Sequence, residues 1–111
     1  MENLDYHWTE AMKKLEPVFG EEIDLQSALF IIGIQELGKG PRKFNKRQKL
    51  EVIHIAVCRL LSDYGFYEFE GYDEDSWPHY KRTARLPKLE GENQENLMKE
   101  AIINYLEKQA I

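Results

Sequence analysis

The sequence predicts an all-α fold: a compact bundle of four main helices, built as a single helical domain over residues 1–111. An ordered aromatic and acidic loop, or a short β-hairpin, is expected between the third and fourth helices. Three observations carry this prediction. Apolar residues recur at three- and four-residue spacing in four separate stretches, proline and glycine punctuate their ends, and the helical period disappears between Phe66 and Gly91.

The first helix is expected from Leu4 to Glu16, where Leu4, Trp8, Ala11, Met12 and Leu15 share a face and Pro17 disfavours continuation. Val18 and Phe19 are expected to pack at the turn, and "GEEID" brings the chain round. Asp24 has the chemistry of an N-cap for the second helix, Leu25 to Leu37, and Gly38 that of a left-handed stop. This helix is apolar nearly all round, which implies burial. Gly33 in its middle costs about 1 kcal/mol against alanine, so a neighbouring helix backbone is expected to approach there.

The third helix is expected from Asn45 or Lys46 to Tyr64, capped by Asn45 and ended by Gly65, with Leu50, Ile53, Val57, Leu60, Leu61 and Tyr64 as its main stripe. Helices two and three should form the centre of the bundle. Beyond them "FYEFE" alternates, while Pro78 and Pro87 break any helix. A hairpin pairing Tyr67–Glu70 with Tyr80–Ala84 is one solution and an ordered loop the other; either should be packed down in so small a domain. The fourth helix, Asn93 to Lys108, carries a stripe of Leu97, Met98, Ala101, Ile102, Tyr105 and Leu106.

Composition narrows the function classes. With 42% apolar and 32% charged residues in 111, the chain is an ordinary globular one. A net charge of −5 argues against a surface built wholly to hold nucleic acid or anionic membrane, and "ALFIIGI" is far too short to span a bilayer. The single cysteine, Cys58, leaves no internal disulfide, and "MENLDYHWTE" lacks the basic flank and apolar run of a secretory signal. A cytoplasmic setting is the expectation.

Four constellations have the chemistry of a site. Glu36 and His54 interrupt apolar helical faces and would form an acid–imidazole pair at a pocket wall; the plainer reading is that each satisfies a core hydrogen bond or reaches solvent. In "GKGPRKFNKRQK" the cations Lys39, Arg42, Lys43, Lys46, Arg47 and Lys49 surround a helix start, which suits an anion. The spacing is not that of a P-loop, since Pro41 follows Gly40, and a solvated charged loop is the commoner explanation.

In "GYDEDSWPHYK", Asp73, Asp75 and His79 are candidate ligands. As a calcium loop starting at Asp73, however, the segment puts Trp77 at the fifth position, Pro78 where glycine must turn and Ala84 where a bidentate glutamate belongs. No metal and no cofactor is expected. The fourth constellation is aromatic. Tyr67, Tyr72, Trp77 and Tyr80, with Phe66 and Phe69, have the polar-tipped bulk of an interaction surface; packing is the expected role of Phe66, Phe69 and Trp77. The acids Glu68, Glu70, Asp73, Glu74 and Asp75 among them oppose the basic segment in sign, which would draw the two together within a subunit or across a dimer. Cys58 sits mid-helix among apolar residues, which keeps a thiol inert, and no serine lies in a glycine-flanked elbow.

The pairing of "FGEEIDLQSALFIIGIQELGKG" with "YGFYEFEGYDEDSWPH" resembles a family of small conserved bacterial proteins of unknown function, over most of the chain. The resemblance implies no activity, cofactor or catalytic residue. The functional expectation is therefore a non-catalytic cytoplasmic protein-interaction or regulatory module, binding a protein partner or itself through the aromatic and basic segments. The rival from another class is a small-ligand or anion-binding protein, conceivably an enzyme, whose pocket gathers Glu36, His54 and the Asp73 to His79 loop. Nucleic-acid binding through the six cations is a weaker third.

Overall fold

The protein's computed structural model describes residues 3–19, 23–40, 42–85 and 91–109. The expected turn at Gly20 to Glu22, the packing of the Val18 and Phe19 side chains and the break at Pro87 lie outside what is described. The elements run α1 (Leu4–Phe19), α2 (Leu25–Leu37), α3 (Lys46–Ser62), β1 (Tyr67–Tyr72), β2 (Pro78–Arg82) and α4 (Glu92–Gln109). Among the described residues four helices are present as expected, but the fold is helices plus a two-stranded antiparallel hairpin rather than purely all-α. Among the described residues, no helix is long and apolar enough to cross a membrane.

The chain divides into two units, Met1–Ala28 with Leu89–Ile111, and Leu29–Lys88. In the first, α1 packs on α4. Ala11, Met12 and Leu15 are buried on α1, as are Met98, Ala101, Ile102, Tyr105 and Leu106 on α4, following the expected stripes. Helix α1 continues through Pro17 to Phe19, past its expected end. A proline in the last turn removes a single N–H donor, which a helix about to end tolerates.

The second unit holds the rest of α2, all of α3 and the hairpin. The termini follow the local chemistry of the sequence. The Asp24 carboxylate accepts the Ser27 amide at 2.7 Å, starting α2. Gly38, with φ of 71°, donates its N–H to the Ile34 carbonyl to close it. Asn45 and Gln48 form a reciprocal capping box at the start of α3. At its end, Phe66 N–H bonds the Leu61 carbonyl and Gly65 N–H the Ser62 carbonyl, with Gly65 at φ of 80°. This is a Schellman motif, and it turns the chain directly into β1.

Helices α2 and α3 meet at Gly33. A Cβ on that residue would lie 2.2 Å from the Val52 carbonyl oxygen, so the two backbones are in contact there. Around this crossing Leu37, Phe44, Val52 and Ile55 form the core, with Phe30, Ile34 and Trp77 packed against it. The buried face of α3 runs through Val52, Ile55, Ala56, Cys58, Leu60 and Leu61. Leu50, expected in the main stripe, is instead 62% exposed. The close approach at Gly33 sets the rotation of α3 by centring Val52, which carries Leu50 off the core face.

The hairpin pairs Tyr67 with Arg82, Phe69 with Tyr80 and Tyr72 with Pro78. Its second strand runs Pro78–Arg82, starting and ending two residues before the expected Tyr80 and Ala84. At the first position of an edge strand a missing N–H costs no ladder bond. A bulge between Phe69 and Gly71 adds one residue to β1, and Gly71 adopts φ of 124°, which side chains rarely reach. Thr83 ties the base of the hairpin to the end of α3, donating its N–H to the Phe66 carbonyl and its hydroxyl to the Gly65 carbonyl. Both strands pack against α3.

Candidate functional site

Within the second unit, a groove of about 800 Å³ opens between α3, the loop that precedes it and the hairpin. The loop contributes Lys39 and Arg42. Helix α3 contributes Arg47, Leu50 and Glu51 at its outer edge, then His54, Ile55 and Cys58 further along. The hairpin contributes Asp73, Asp75, Trp77, Pro78, His79 and Tyr80. These α3 positions recur at three and four residues, so one helical face lines the groove while the adjacent face fills the core.

The hairpin turn is fixed by Asp73. Its Oδ1 accepts the amides of Asp75 at 2.9 Å and Trp77 at 3.0 Å, and its Oδ2 lies 2.9 Å from His79 Nε2. The His79 contact and those backbone amides hold the Asp73 carboxyl below the usual carboxylate range. Such a carboxylate contributes stability above its unfolded-state pKa and loses that contribution as pH falls through its lowered folded value. Wild-type protein should therefore lose hairpin order on acidification below about pH 4, while Asp73→Asn should flatten that part of the profile. Tyr72 and Tyr80 amide shifts across the acid range measure this, and identical profiles would exclude the role.

Trp77 anchors the turn to the core. Its ring meets Phe44 edge-on at 6.4 Å, and Phe44 meets Phe30 at 6.0 Å. Lys39 Nζ lies 5.9 Å from the Trp77 ring centroid and donates to the Asp75 carbonyl. Arg42 lies over the Phe44 ring at 6.0 Å. The basic loop and the acidic turn thus meet within one chain, through Lys39.

The expected pocket residues divide. His54, Asp73, Asp75 and His79 all line the groove, but Glu36 does not. The Glu36 carboxylate pairs with Arg59 Nε at 3.2 Å, and Arg59 also bonds Asp63 at 3.0 Å. Arg59, which the sequence reading passed over, takes the place expected for His54 because it lies on the side of α3 that faces the end of α2. His54 is exposed, its ring edge-on to Tyr67 at 6.5 Å and its Nε2 3.4 Å from Cys58 Sγ. Of the six cations, Lys39, Arg42 and Arg47 line the groove; Lys43, Lys46 and Lys49 are exposed outside it.

Of the four expected interaction aromatics, Trp77 and Tyr80 line the groove, Tyr67 is half-buried against His54, and Tyr72 is 68% exposed. Phe69, expected to be packed, is 52% exposed, because the hairpin carries it beyond the cover of α3. Its ring contacts Tyr72 at 5.2 Å and Tyr80 at 5.5 Å, making an aromatic cluster continuous with the groove through Tyr80.

Burial pushes the Cys58 thiol up to about 11, so it is protonated at neutral pH despite its imidazole neighbour. Native protein should accordingly react with a disulfide reagent such as DTNB at least about tenfold more slowly than urea-unfolded protein. Equal rates would show that the thiol is open to the groove and activated. Among the described residues no group of three His, Cys, Asp or Glu side chains is placed to hold a metal ion. Comparison with protein-family models, curated proteins and solved structures finds no match.

Proposed function

We propose that the chain is a non-catalytic cytoplasmic interaction module that associates with a second copy of itself through its hairpin. The observation that carries this reading is the exposed cluster of Phe69 and Tyr72. Two large aromatics in mutual contact and more than half open to solvent are the composition of an interface centre, and a monomer has little other use for them.

Charge complementarity selects the partner. Glu68, Glu70 and Glu74 are exposed on the same hairpin, Glu68 within 3.6 Å of Lys81, and the same unit exposes Lys43, Lys46 and Lys49. In a two-fold dimer each acidic hairpin would face the partner's basic segment, so each favourable contact occurs twice. A buried, protonated Cys58 suits a reducing compartment.

Light scattering across the micromolar range at low salt tests this. The mass should rise toward that of a dimer with concentration and fall back with salt, and Phe69→Ser with Tyr72→Ser should hold the chain as a monomer. Lys46→Glu with Lys49→Glu should weaken association, and mixing that variant with Glu68→Lys and Glu70→Lys should restore it. A mass that stays monomeric throughout, or a dimer indifferent to the aromatic substitutions, would sink the reading.

A further inference from the structure

We propose that the groove of the second unit is also a small-molecule site, taking a phosphomonoester with a planar apolar body. The site adjoins the exposed Phe69–Tyr72 cluster through Tyr80 but is lined by neither of those two residues, so it does not depend on self-association.

Lys39 uses one of its three N–H donors on the Asp75 carbonyl while lying over Trp77. Arg42 rests on the Phe44 ring, a contact that leaves its planar fork of donors unspent. Arg47 pairs with Glu51 at 3.3 Å, but its side chain is 89% exposed and the pair is one helical turn apart. Pairs of that kind hold so weakly that an incoming dianion displaces the carboxylate readily. The acids of the groove compete less than their number suggests. Asp73 is engaged by His79 and two amides, which leaves Glu51, once displaced from Arg47, and Asp75 as the opposing carboxylates.

The apolar lining sets the rest of the ligand. Leu50 is left 62% exposed in the groove lining, which also includes half-buried Trp77 and buried Ile55 and Pro78. A volume of about 800 Å³ is that of a site for a mononucleotide-sized molecule, not for a metal ion or a bare anion. Phosphate at Lys39, Arg42 and Arg47 would place a planar body between Leu50 and Trp77, where its burial adds to the charge-assisted hydrogen bonds.

Trp77 reports on the site directly once the other indole is removed. In a Trp8→Phe background, titration with AMP, ribose 5-phosphate and inorganic phosphate should give saturable quenching by AMP, with the two probes lacking a base weaker by about tenfold or more. Lys39→Gln with Arg42→Gln should weaken AMP by about tenfold or more while leaving the circular dichroism unchanged. Leu50→Ser should weaken AMP and leave ribose 5-phosphate as it was. A short single-stranded oligonucleotide binding far more tightly than AMP would replace the proposal with a nucleic-acid surface. Absence of saturable change with all three small probes, equal binding of AMP and inorganic phosphate, or indifference to the Lys39 and Arg42 substitutions would each overturn it.

Discussion

Gly33→Ala is expected to lower the unfolding free energy by about 2–3 kcal/mol, and the thermal midpoint by roughly 10–20 °C. Two opposed effects decide the sign. Alanine gains about 1 kcal/mol over glycine in a helix interior. Against this, the added methyl would stand 2.2 Å from the Val52 carbonyl oxygen and 2.9 Å from its carbonyl carbon. A side-chain tip can swing aside, but a carbonyl moves only with its helix, so α2 and α3 must separate and the core around Val52 and Ile55 must loosen. Overpacking of this kind costs more than helix propensity returns. Thermal melts followed by circular dichroism measure the effect, and a neutral or stabilising Gly33→Ala would show that the two backbones do not touch.

Phe44→Ala is expected to cost about 3 kcal/mol, toward the lower end for a buried phenylalanine because the residue sits at the edge of its cluster. Its consequence for the groove is larger than its consequence for the core. Phe44 is the surface on which both Trp77 and Arg42 rest, so its removal frees the hairpin turn and one of the three cations together. Trp77 emission should shift to longer wavelength in the folded variant, and Phe44→Leu should recover most of the stability but not the position of Arg42. Chemical denaturation and emission spectra separate the two effects. A loss under about 1 kcal/mol with unchanged emission would mean that Trp77 is held by something else.

The parts of the fold that could be read from the chain are those whose causes are local. Asp24 and Asn45 cap helices with their own side chains, and Gly38 and Gly65 end them with conformations few other residues adopt. Gly33 was legible for the opposite reason: it harms its own helix, so only a neighbour could justify it. Partner choice was not legible in the same way. A helical wheel shows that Glu36 faces inward but not that Arg59, rather than His54, waits there.

A rotation of α3 by about one position exchanged Leu50 for Val52 on the core face, and the wheel cannot resolve so small an angle. The hairpin was one of the two solutions the sequence allowed, but its strands run Tyr67–Tyr72 and Pro78–Arg82 rather than Tyr67–Glu70 and Tyr80–Ala84, since a proline at the start of an edge strand costs no ladder bond. For the groove, the sequence suggested a pocket of Glu36, His54 and the Asp73 to His79 turn and set the basic loop apart from it, whereas the groove joins His54 and the turn with Lys39, Arg42 and Arg47 and leaves Glu36 out. Their meeting depends on the turn at Gly65 and the bulge before Gly71, which together fold the acidic turn back toward Lys39.

The pairing of α1 with α4 has a consequence for the order of events during synthesis. Helix α3 and the two strands contact neighbours that are close in sequence, so that unit can close soon after it leaves the ribosome. Helix α1 is made before α2, α3 and the hairpin but lacks its packing partner until α4 has followed them, and long-separated contacts form late because loop closure must precede them. Pulsed hydrogen exchange during refolding should protect the amides of α3 and β1 before those of α1. Of the four described helices α1 thus waits longest for its partner, and Met12 and Leu15, buried only once α4 arrives, are what a chaperone would meet.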